Sequence, residues 1–106
     1  MGRFIIKITD EKFNKDYYME WSTVVDAPVT YGLDLEEFKE YYKEEYGKSG
    51  MNDLNERLER VEKTGSSGIA PFGKLEDLLE LNRAGENEET LDKEGILNQY
   101  CRERIG

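Results

Sequence analysis

Along residues 3–9 apolar and polar positions alternate: Phe4, Ile6 and Ile8 fall on one face, Ile5 and Lys7 on the other. A period of two is that of a strand. Residues 10–16 are polar, and the alternation resumes over residues 17–25. There Tyr17, Met19, Trp21, Thr23 and Val25 share one face, while Tyr18, Glu20, Ser22 and Val24 share the other. The two runs predict an antiparallel hairpin over residues 3–25 with a wide turn. The Trp21 face is expected to meet the core, which leaves Tyr18, Glu20 and Ser22 as the exposed face.

Beyond Pro28 the period lengthens. Asp34 followed by Glu37 has the form of a capping box, and Leu35, Phe38, Tyr42 and Tyr46 recur at helical spacing with Glu36, Glu40, Lys43 and Glu44 between them. A helix over residues 34–46 is expected, with Gly47 as its left-handed end. Leu54, Leu58 and Val61 predict a second helix over residues 52–63, stopped by Gly65. Residues 64–73, rich in Gly and Ser, read as a connection. Leu75, Leu78 and Leu79 predict a short third helix ending near Gly85. Thr90 is the expected cap of a last helix that carries Ile96, Leu97, Tyr100 and Cys101, with Arg102 and Arg104 near the negative end of its dipole. The whole is one α+β domain, residues 1–106: a hairpin at 3–25 packed against three or four short α-helices within 34–105.

Composition adds constraint. Apolar and charged residues are each 37% of 106 residues, a thin core for a domain that buries only about two-thirds of its unfolded surface. Two strands alone are marginal, so a homodimer by sheet extension is expected to help. Net charge is −9, which argues against nucleic acid, whose binding needs cations against phosphates. The excess is local, since residues 34–62 carry ten acids and five bases. The single Cys101 rules out an intramolecular disulfide and points to a reducing compartment. No run is apolar enough for a membrane span or signal peptide, so a cytoplasmic location is expected.

Chemistry is bounded by what the chain lacks. It has no histidine, hence no imidazole base, ligand or triad. Glu20 and Asp26 form the best carboxylate pair, but 24 acids make some pair inevitable, and hairpin hydrogen bonding is the plainer reading. Residues 10–16 lack the glycine and terminal glutamate of a calcium loop. Residues 65–68 lack the lysine of a phosphate loop. No metal, no cofactor and no catalysis are expected. The binding candidates are Tyr18, Glu20 and Ser22 on the strand, Asp26, Thr30 and Tyr31 in the loop, and Arg83, whose planar fork suits an anion.

The segments E-W-S-T-V-V-D-A-P-V-T-Y-G (20–32), E-E-F-K-E-Y-Y-K-E-E-Y-G (36–47), R-V-E-K-T-G-S-S (60–67), N-R-A-G (82–85) and Y-C-R (100–102) resemble small phage-encoded proteins of unassigned function. The resemblance brings no site with it. A small acidic protein of this kind is similar in type to inhibitors of bacterial defence. It implies a non-catalytic protein, working in the bacterial host cytosol, that binds a host defence or regulatory protein. The acidic excess of residues 34–62, and not the resemblance, points to Glu36, Glu40 and Glu44 as the binding face. The alternative expectation is a small-molecule binder. It would sequester a nucleotide-derived immune signal in a pocket made by residues 21–31 and Arg83.

Overall fold

The computed structural model of the chain describes residues 3–23, 25–67, 75–85, 87 and 89–102. Gly68, Val24, Arg104 and the side chain of Arg102, all assigned places above, lie outside what is described. Strand β1 (Arg3–Asp10) and strand β2 (Lys15–Ser22) pair antiparallel, with Phe4 opposite Trp21, Ile6 opposite Met19 and Ile8 opposite Tyr17. Asn14 takes a positive φ of 49° in the turn, a conformation asparagine tolerates better than most residues. A two-residue strand β3 (Ala27–Pro28) adds to β2, giving the sheet order β1-β2-β3.

Helix α1 (Leu35–Thr64) begins as the capping box predicts: Asp34 Oδ1 accepts from Glu37 N at 2.8 Å, and Glu37 Oε1 accepts from Asp34 N at 3.1 Å. Gly47, at φ 63° and ψ −157°, breaks it into two helical segments. That conformation is essentially confined to glycine. The second segment resumes at once, where the sequence suggested a gap up to residue 52. It closes at Gly65, in the left-handed region at φ 85°, whose N–H donates to Val61 O at 2.7 Å.

Helix α2 (Leu75–Leu81) ends earlier than Gly85 because Asn82 intervenes. The buried Asn82 amide donates to Leu79 O and Leu91 O and accepts from Ala84 N and Leu91 N. Helix α3 (Lys93–Ile96) is capped by Asp92, which accepts from Gly95 N at 2.8 Å, and not by Thr90. It continues as a π-helical stretch, Leu97–Arg102.

The α+β class holds, but the layering differs from a hairpin with one wet face. Phe4, Ile6, Ile8, Tyr17, Met19 and Trp21 pack beneath Leu78, Ile96, Leu97 and the buried thiol Cys101. Ile5 and Tyr18, on the opposite face, pack under Phe38, Tyr42, Leu54, Leu58 and Val61 of α1. The sheet is therefore sandwiched between helices. Tyr18, Glu20 and Ser22 are buried, contrary to the exposure expected of them. Val25 is exposed instead, because β2 stops at Ser22 before reaching it.

The sheet edges are used as well. On the β1 side Lys7 N donates to Gly65 O, and Ile5 exchanges bonds with Ser67. On the β2 side Tyr18 and Leu33 exchange backbone bonds at 2.7 and 3.0 Å, and Val29 N donates to Glu20 O. A dimer by sheet extension would need these same groups. The chain satisfies them itself.

Candidate functional site

Burying Glu20 places a carboxylate at 2% exposure between sheet and helix, which is costly unless its oxygens are bonded. They are. Oε1 accepts from Tyr41 Oη at 2.7 Å and from Arg3 Nη1 at 3.2 Å, and Oε2 accepts from the Tyr46 hydroxyl. The backbone N–H of Glu20 donates to Thr30 Oγ1 at 3.1 Å. Three elements contribute to the site. β2 presents Glu20, β1 brings Arg3 as the cross-strand neighbour of Ser22, and α1 supplies Tyr41 and Tyr46.

A second polar link lies farther along the same face. Tyr18 Oη donates to Glu62 Oε1 at 2.6 Å, while Lys7 Nζ donates to Glu62 Oε2 at 2.8 Å. The lysine bond, then the tyrosine bond, hold the Glu62 carboxyl below its usual range. Burial, followed by the bond to Glu62, pushes the Tyr18 phenol up. Both networks tie α1 to the sheet.

Burial, then the hydrogen bond to Glu20, raises Tyr46 to about 12 and pushes Tyr41 higher still. A raised phenol means the fold prefers its neutral form. That preference is whole below the free-tyrosine value of about 10 and is lost as pH climbs through the folded value. Stability should therefore decline between about pH 10 and pH 12. Urea unfolding across that window should show the decline, and Tyr46→Phe should flatten part of it. A wild-type stability independent of pH there would contradict the assignment.

The exposed faces differ in chemistry. Leu33, Glu36, Glu37, Glu40, Tyr41 and Glu44 line an open groove of about 490 Å³ along the first segment of α1. Glu36, Glu40 and Glu44 are exposed and form no ion pair with another described residue. A deeper cleft of about 710 Å³ opens beside the second segment, with Glu20 and Ser22 among its lining residues.

Comparison with family models, curated proteins and solved structures returns no match. Geometry alone ranks these surfaces.

The residues proposed from sequence do not converge. Glu20 and Thr30 meet by a hydrogen bond, and Asp26 meets Arg83 through an ion pair at 3.4 Å and a backbone bond from Arg83 N to Asp26 O at 2.8 Å. Tyr18 points into the α1 layer, and Tyr31 is 61% exposed. The nucleotide pocket expected of residues 21–31 thus loses its aromatic floor, since Trp21 lies in the opposite core. Its arginine is already engaged by Asp26. Arg3, Tyr41 and Tyr46 were not among the binding candidates, because they reach Glu20 only through tertiary packing. Among the described residues no group of three or more His, Cys, Asp or Glu could hold a metal ion. No described helix is long and apolar enough to cross a membrane.

Proposed function

We propose that this chain is a non-catalytic inhibitor that binds a bacterial host defence or regulatory protein, presenting Glu36, Glu40 and Glu44 to a basic groove. The observation that carries the reading is the set of three carboxylates, spaced at successive helical turns and free of ion pairs with described residues. They flank the half-buried Tyr41 and Leu33, so the surface offers a charged rim around a small apolar strip, as interfaces do. Negative charge concentrated in this way steers a cationic partner and fixes its register. The helix that bears it is held by the Glu20 and Glu62 networks, so little ordering is left for the binding step.

The resemblance to small phage proteins and the absence of histidine both agree with binding in preference to catalysis. Glu20, a carboxylate buried deeply enough to act as an acid or base, is already bonded to three side chains. The nucleotide-binding alternative is weaker, because Asp26 occupies Arg83.

Passing host lysate over the immobilised chain tests the reading. Bound protein should be basic and should elute as salt rises towards about 1 M, where screening shortens to about 3 Å. A thermal-shift screen with cyclic and ADP-ribose-type nucleotides should leave the melting temperature unchanged, whereas a tight ligand would raise it. A clear nucleotide shift with no salt-sensitive protein bound would overturn the proposal.

A further inference from the structure

The larger cleft lies between the second segment of α1 and the loop that follows β2, and its walls carry groups the fold leaves uncommitted. Arg57 is half-buried and makes neither an ion pair nor a hydrogen bond with a described residue. Asp53, one helical turn before it, is likewise unpaired although both line the cleft. Ser49, a further turn back, adds an exposed hydroxyl. Opposing charges four residues apart on a helix normally find each other. Here they stay apart along one wall.

Tyr42 points to a ligand independently. The residue is 3% exposed, its ring packs on Phe38 and Tyr46, and its hydroxyl bonds to no described residue. Among the described residues no side-chain N or O atom is buried without a partner, so this hydroxyl opens into the cleft. Arg57, Glu20 and Asp53 all act on it electrostatically, which places it among the charged groups. Val25 and Val29, 52% and 41% exposed, supply an apolar rim on the facing wall.

We propose that this cleft binds a small zwitterion with an apolar side chain, a free amino acid or a dipeptide. The Arg57 fork takes the carboxylate, as its planar geometry favours, with the Tyr42 hydroxyl beside it. Asp53 takes the ammonium, and Val25 and Val29 cover the side chain. At the floor Glu20 and Arg3 neutralise one another at 3.2 Å, so the site as a whole is near charge balance. That balance disfavours a polyphosphate, which would face Glu20, Asp53 and a chain of net charge −9. The volume of about 710 Å³ lies in the range typical of small-molecule sites. The site is separate from the acidic groove, so it stands or falls independently of the protein-binding proposal.

Calorimetric titration of the full chain tests it, using L-leucine, L-phenylalanine and Leu-Leu. The controls are 4-methylpentanoate, which lacks the ammonium, isoamylamine, which lacks the carboxylate, and AMP. At least one zwitterion should bind, with leucine against Leu-Leu deciding between amino acid and dipeptide, and each control should bind at least about tenfold more weakly. Arg57→Gln and Asp53→Asn should each weaken the zwitterion about tenfold or more while leaving the thermal melt in place. No heat from any zwitterion at about 10 mM, affinities unchanged in both variants, or AMP binding tighter than the zwitterions would each overturn the proposal.

Discussion

Glu20→Ala is expected to lower the unfolding free energy by about 3–5 kcal/mol, the usual cost of removing one partner from a buried charged network. The substitution strands the hydroxyls of Tyr41 and Tyr46, each of which donates to the carboxylate. Hydrogen bonds to a charged group contribute about 1.5–3 kcal/mol apiece. The Arg3 arm adds little, because that guanidinium is 53% exposed and solvent screens the pair. Glu20→Gln should cost less, since its amide oxygen still accepts from one phenol. Urea titration followed by far-ultraviolet circular dichroism measures both. A loss under about 1 kcal/mol for the alanine variant would mean that Glu20 does not fasten α1 to the sheet.

Trp21→Ala should be as damaging, at about 3–5 kcal/mol, but through the opposite layer. Trp21 is 1% exposed and shares its cluster with Phe4, Leu78, Ile96, Leu97 and Cys101. No other single side chain in that layer is as large. With total stabilities of small domains near 5–15 kcal/mol, the variant would sit close to the unfolding threshold. Trp21→Phe retains most of the buried area and should lose clearly less. Comparing the two urea midpoints checks the claim, and equal losses would show that something other than core volume is being measured.

These two residues are neighbours on one strand, yet they serve different layers, and that alternation was legible in the sequence. So were the capping box at Asp34 and the breaks at Gly47 and Gly65. Each depends on residues within a few positions of one another. The covered second face was harder to read, although Ile5 and Tyr18 put apolar bulk on the side assigned to solvent. The aromatic stripe of Phe38 and Tyr42 needed a surface to bury against, and that face is what it found. Helix ends were misplaced where two capping types compete within a few residues, as with Thr90 and Asp92. The partners of Glu20 were invisible because Tyr41 and Tyr46 lie more than twenty positions away and meet it only after α1 docks. Likewise, Arg83 looked like a free anion site until Asp26, far off in sequence, was found against it.

The same docking explains why an acidic helix face can stay exposed without loosening the fold. Phe38, Tyr42 and the Glu20 network hold the inner side of α1, leaving Glu36, Glu40 and Glu44 outward and unpaired with described residues. Reversing their charge should thus change binding and little else. The direct measurement is the affinity of the combined Glu36→Lys, Glu40→Lys and Glu44→Lys variant for the basic protein captured by the wild-type chain. We expect a loss of about a hundredfold or more with an unchanged thermal melt. Undiminished affinity in a folded variant would contradict the proposed binding surface.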